Sequence, residues 1–126
     1  MSLIDNLEKM LADGKDGAML RFGLGNAYFQ NKDYDKAAEH LAKAVELDKG
    51  YSAAWKLLGR ALVELDELDA AKRIFDEGIE QAGAKGDKQA VREMQVFLKR
   101  IIRQREAIRS NRSRSLSSRA GDAAED

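Results

Sequence analysis

The chain has 126 residues, one domain's worth, with no Pro, 35% charged residues and 6% aromatics, the composition of an all-helical protein with a modest core. The absence of Cys excludes a disulfide framework and thiolate chemistry. Its net charge of zero hides an asymmetry: residues 1–84 carry 16 acidic and 11 basic side chains, while residues 85–126 carry 6 and 11. Asp5, Glu8 and Lys9 interrupt the apolar positions of the first thirteen residues, which excludes a signal-peptide core, and nothing later approaches a membrane span. A cytoplasmic address is expected.

In chain order, Ser2 is placed to cap a first helix through about Leu11, with Leu3, Ile4, Leu7, Met10 and Leu11 at helical spacing. Asp13-Gly14-Lys15-Asp16-Gly17 reads as a turn. Helices are expected over residues 18–31 and 34–47, closing at Lys49-Gly50, and over 52–65 and 68–82, closing at Gly83-Ala84-Lys85-Gly86. Asp66, Glu67 and Asp69 are expected to cap and favour the start of the last of these. Asp87 can cap a final helix in which Ala90, Val91, Met94, Phe97, Leu98, Ile101 and Ile102 share an arc of about 140°. Arg105 lands in the middle of that arc, so the folded part is expected to stop between Ile102 and Gln104. Residues 105–126, rich in Arg and Ser with a short acidic end, have little to bury and are expected to be a disordered tail.

The middle of the chain repeats. Trp55-x2-Leu58-Gly59 with Ala61, Asp69 and Ala71-x3-Phe75 meets, thirty-four residues earlier, Leu24-Gly25-x-Ala27-Tyr28 with Asp35 and Ala37-x3-Leu41. Windows 18–51 and 52–85 share the same residue at six places, including Gly25/Gly59 and Ala37/Ala71. A Gly inside a helix costs about 1 kcal/mol relative to Ala, so Gly25 and Gly59 imply close contact between paired helices. Ala37 and Ala71 are expected to face them, with Tyr28 and Leu62, then Leu41 and Phe75, on either side. In the same frame Leu3, Leu7 and Met10 fall where Ala37, Leu41 and Ala44 fall, as if the first helix were the second half of a missing unit.

Period and signature resemble the tetratricopeptide repeat. The second unit supplies the Trp and Phe of that signature, the first supplies the Tyr, and the usual Pro is missing from both. The resemblance implies an all-α solenoid of about six helices, antiparallel hairpins in a right-handed superhelix. Residues 1–17 would form an N-terminal cap, 18–51 and 52–85 two repeats, and 86–104 a C-terminal cap. With Met94 at the place of Leu24 and Leu58, the last helix resembles the start of a third repeat, with Gln95 at the Gly place.

Catalytic chemistry finds little support. His40, the one His, reads as an ordinary, partly exposed side chain with no second His or Cys nearby. No metal-ligand spacing exists, and Gly23-Leu24-Gly25 lies inside a helix without a phosphate-loop ending. No cofactor is implied. The resemblance implies instead a non-catalytic protein-interaction module whose concave face is lined by the first helix of each repeat. Carried over place by place, those positions are Met19, Phe22, Asn26, Phe29 and Gln30; Ala53, Lys56, Arg60, Val63 and Glu64; and Gln89, Arg92, Val96, Lys99 and Arg100. Phe22 and Phe29 could equally pack on the N-terminal helix, and Glu64 and Glu93 could pair with the groove's cations. Such a groove suits a protein or peptide with apolar anchors followed by acidic residues.

Family members that clamp the C-terminal carboxylate of chaperone tails use Lys and Asn in one repeat, Asn in the next, and Lys and Arg in a third. Here Asn26 is present, but Phe22, Leu57, Gln89 and Glu93 hold the other places, so that clamp is absent. A monomer with no membrane partner is expected. The rival readings are a nucleic-acid-associated protein using the Arg/Ser tail, and a self-assembling structural protein.

Overall fold

Six helices account for the fold of the computed structural model, which describes the backbone of residues 2–125 and the side chains of residues 2–114. They are α1 (Leu3–Ala12), α2 (Ala18–Gln30), α3 (Tyr34–Leu47), α4 (Ser52–Glu64), α5 (Leu68–Lys85) and α6 (Lys88–Glu125). Sequentially adjacent helices pack on one another: α2 pairs with α3, α4 with α5, α6 lies on α5 and α4, and α1 lies on α2.

Local chemistry sets the helix ends. Ser2 and Asp5 form a reciprocal capping box at α1, with the Ser2 hydroxyl accepting from the Asp5 N–H at 3.1 Å and the Asp5 carboxylate from the Ser2 N–H at 3.2 Å. Asp87 accepts from the Ala90 N–H at 3.1 Å, as its capping role requires. The acidic cluster before α5 behaves differently from expectation. Glu67 is the N-cap residue but makes no side-chain bond, and Asp66 is taken up by the turn at φ 59°. Only Asp69 lies in the first turn of α5, and its carboxylate forms an ion pair with Arg105 at 2.8 Å.

Both hairpins turn in the same way. Lys32 N–H donates to Phe29 C=O and Asp33 N–H to Tyr28 C=O, each at 2.9 Å; thirty-four residues on, Asp66 N–H donates to Val63 C=O and Glu67 N–H to Leu62 C=O, each at 2.9 Å. This Schellman closure needs a left-handed residue at its centre, and Lys32 (φ 61°) and Asp66 (φ 59°) adopt that conformation without being glycine. The left-handed region costs a non-Gly residue about 1–2 kcal/mol, part of which is recovered by Gly after its greater unfolded-state entropy is counted. Asp66→Gly is expected to raise the unfolding free energy by about 0.5–1 kcal/mol in urea titration; a loss of stability would show that Asp66 contributes something beyond the turn.

The core is built on the glycines, with one change from expectation. A Cβ at Gly25 would stand 2.5 Å from Leu41 Cγ, and one at Gly59 would stand 2.5 Å from Phe75 Cε1. The room left by each Gly is therefore filled by the large side chain of the facing helix. Ala37 and Ala71 are both fully buried beside it, and the Ala37 C=O lies 3.3 Å from where the Gly25 Cβ would stand. A third close approach had no signal in the six identities: a Cβ at Gly78 would be 2.7 Å from Met94 Sδ and 2.8 Å from Trp55 Cβ. Gly78 thus lets α5 approach α4 and α6 together. The Trp55 indole N–H donates to the Lys49 C=O at 2.8 Å, which anchors its polar edge.

Helix α6 buries Ala90, Met94 and Ile101 and stacks Phe97 on Phe75 with ring centroids 5.6 Å apart. It then continues to Glu125, beyond the end expected near Ile102 to Gln104. No described side chain after Ile101 is buried, although Arg105 still reaches Asp69 of α5. The helix persists because residues 103–120 contain neither Gly nor Pro, while Arg, Gln, Glu and Ala favour helix. The side chains of 115–125 and residue 126, within the Arg/Ser-rich tail, lie outside the described residues.

Candidate binding groove

The first helices of the hairpins, α2 and α4, and the last helix α6 present one continuous face on which Arg60 is central. Its guanidinium carbon lies 5.1 Å from the ring centroid of Phe29 on α2 and 5.6 Å from that of Phe97 on α6. Arg100 approaches the same Phe97 ring at 5.5 Å. Cations over aromatic faces are held by the ring quadrupole, so the aromatic pair fixes where the guanidiniums point. Neither Arg60 nor Arg100 makes an ion pair among the described residues. Between them runs a cleft of about 260 Å³ walled by Arg60, Val63 and Glu64 of α4 and by Phe97, Arg100 and Gln104 of α6.

Toward the other end of α4, a smaller cleft of about 190 Å³ is lined by Ala53, Lys56, Gln89 and Glu93 among others. Lys56 makes an ion pair with Glu93 across it. The hydrogen bond from Lys56, with a further one from Gln89, holds the Glu93 carboxyl below the usual glutamate range. Lys56 is thereby occupied by a local partner, leaving Arg60 and Arg100 as the groove's available cations.

The other residues assigned to the groove from sequence fall in several places. Asn26, Gln30 and Met19 are exposed on α2, Met19 at 81%. Phe22 packs on Tyr51 at 5.0 Å, and Phe29 meets Tyr34 edge-on at 5.2 Å, so neither ring is spent on α1 alone. Arg92 lines a separate cleft with Gly83, Gly86 and Val91 at the α5–α6 turn, away from α4. Val96 and Lys99 are exposed and line neither cleft against α4. The face that α6 turns toward α4 carries Gln89, Glu93, Phe97, Arg100 and Gln104, spaced by three or four residues. Phe97 and Gln104 are the additions; Phe97 had been placed in the core arc, and it serves both surfaces.

His40 is not the partly exposed side chain its sequence context suggests. It is 7% exposed, stacked on Tyr28 at 5.5 Å, with Nδ1 3.1 Å from an Arg21 amino group and Nε2 3.4 Å from the Glu8 carboxylate. Glu8 also accepts from the Tyr28 hydroxyl at 2.8 Å. Burial, and then that bond, pushes the Tyr28 phenol up to about 12. Both imidazole nitrogens are engaged, so the cluster ties α1, α2 and α3 together and presents no free base.

Among the described residues no helix is long and apolar enough to cross a membrane. The tetratricopeptide repeat family profile matches residues 28–92. A TPR repeat-containing protein of Pseudomonas aeruginosa is 50% identical over 103 residues, 82% of this chain and 98% of its own length. The solution structure of a Bordetella parapertussis protein superposes with a TM-score of 0.72 at 39% identity, covering 82% of this chain and 90% of that one. The second TPR domain of the human RPAP3 protein, solved in complex with an HSP70 peptide, gives a TM-score of 0.64 at 30% identity over 78% of this chain and 77% of its own. With its thirty-four-residue period, its glycine-centred hairpins and these relatives, the chain belongs to the tetratricopeptide repeat family.

Proposed function

We propose that this chain is a non-catalytic adaptor that grips a partner peptide or helix along the face formed by α2, α4 and α6. The observation that carries the reading is Arg60, held between Phe29 and Phe97 beside Arg100, with neither guanidinium in an ion pair among the described residues. Aromatic walls accept an aliphatic or aromatic anchor, and two preorganised guanidiniums accept carboxylates from the residues that follow it. That a human relative is found with a chaperone peptide supports a polypeptide ligand. The chemistry here favours a different peptide. Phe22, Leu57 and Gln89 offer no cation where a terminal carboxylate would be clamped, and Glu93, held ionised by Lys56, repels one. A cytoplasmic address is part of this proposal.

Selection of displayed random peptides on the full chain tests it. The enriched consensus is expected to place an apolar residue ahead of two or more acidic ones. Arg60→Glu is expected to weaken the selected peptide at least tenfold, about 1.4 kcal/mol or more, with the melting temperature unchanged. Peptides that bind Arg60→Glu as tightly as wild type, or a consensus that binds only with a free C-terminal carboxylate, would contradict it.

A further inference from the structure

The two ends of the helix array are complementary halves of one hairpin. In α3 and α5 the residues that face the helix's own partner are Ala37, Leu41 and Ala44, and Ala71, Phe75 and Gly78, all buried. The corresponding residues of α1, thirty-four places earlier, are Leu3, Leu7 and Met10; Leu7 also packs beside Gly23 of α2, and among the described residues no helix precedes α1. Leu3 is accordingly 65% and Met10 40% exposed, and α1 buries no residue fully. A helix that only capped the array would carry polar residues there.

At the other end α6 has the opposite deficiency. With Met94 at the place of Leu58, the residues that would face a following helix are Val91, Gln95 and Leu98, corresponding to Trp55, Gly59 and Leu62, with Ile102 on the same face one turn further along the longer α6. Gln95 is exposed and Ile102 is 38% exposed. Beside Val91 lies an open cleft of about 370 Å³ floored by Gly83 and Gly86. We infer that a second copy of this chain supplies the missing helix: α1 of one molecule docks on α6 of the next, forming an intermolecular hairpin that joins the chains head to tail.

The pairings inside the existing hairpins fix the register. Phe75 sits on Gly59 and Gly78 on Trp55, so Leu7 lies over Gln95 and Met10 over Val91, which brings Leu3 to Leu98 and Ile102. Charge agrees with this choice of occupant. Residues 1–16 hold four acidic and two basic side chains, whereas residues 88–114 hold nine basic and two acidic. The contact is heterologous, so it extends beyond a dimer. It is also small, one ten-residue helix with Gln95 in place of a glycine, so assembly is weak and depends on concentration.

Sedimentation equilibrium of the full chain from micromolar to millimolar concentration tests the inference. The mass average is expected to rise from 14.0 kDa past twice that value, and to fall back as salt is added. Two variants at exposed positions separate this geometry from others. Leu3→Glu removes the α1 end and Ile102→Glu the α6 end; each alone is expected to stay monomeric with an unchanged melting curve. Their equimolar mixture is expected to form a dimer and nothing larger, because only one productive contact remains. A wild type monomeric throughout, a Leu3→Glu variant that still associates, or a mixture that does not pair would overturn the inference.

Discussion

Phe75→Ala is expected to lower the unfolding free energy by about 3–5 kcal/mol, a large part of the 5–15 kcal/mol typical of a whole domain. Phe75 has no exposed surface, its ring fills the space that Gly59 leaves, and it stacks on Phe97 of α6. One truncation therefore opens a cavity where α4, α5 and α6 meet. The partner substitution reveals the mechanism. Gly59→Ala gains about 1 kcal/mol of helix propensity but drives a methyl group into the Phe75 ring, an overpacking that costs about 1–3 kcal/mol. It should destabilise the wild type and stabilise the Phe75→Ala protein, a reversal of sign measurable in a double-mutant cycle by urea denaturation. A Gly59→Ala variant more stable than wild type would show that the glycine is not there to admit the ring.

Deletion of residues 87–126 is expected to abolish cooperative folding. That segment supplies Met94 and Ile101, two of the five largest fully buried side chains, and covers Gly78 and the face of Phe75. Repeat units bury their apolar faces only against neighbours, so the second hairpin would be left with an open apolar side. The truncated chain should aggregate or melt without a sigmoidal transition in circular dichroism. Deletion of residues 107–126 is the control: no described side chain after Ile101 is buried, and the melting temperature should hold. A soluble, monomeric, cooperatively melting chain ending at Gly86 would show that α6 is dispensable to the core.

What could be read from the sequence was whatever repeats by identity or follows helical spacing. Gly25 and Gly59, with the alanines and large side chains at fixed offsets, specify hairpins, and the apolar arc of α6 supplies its buried Ala90, Met94 and Ile101. Gly78 escaped because its counterpart is Ala44: a small residue answers a small one, and a search for identities passes over the pair. The length of α6 escaped because burial and helix propensity set different limits, and the backbone followed propensity. Lys32 and Asp66 carry no side-chain mark of the left-handed conformation that the turns impose on them. His40 looked solitary because Glu8 and Arg21 are brought to it by α1 and α2, far away along the chain. The groove residues taken from α6 depended on a register fixed by the core position Met94, whereas the side chains meeting Arg60 and Lys56 are set by how α6 crosses α4.

The groove itself is tested most directly by amide chemical-shift mapping of the full chain as it is titrated with a selected acidic peptide. Saturable shifts are expected at Asn26, Arg60, Val63, Arg100 and Gln104, with α3 and the outer face of α5 undisturbed. Shifts confined to α3 or α5, with Arg60 and Arg100 unmoved at saturation, would contradict a binding face built from α2, α4 and α6.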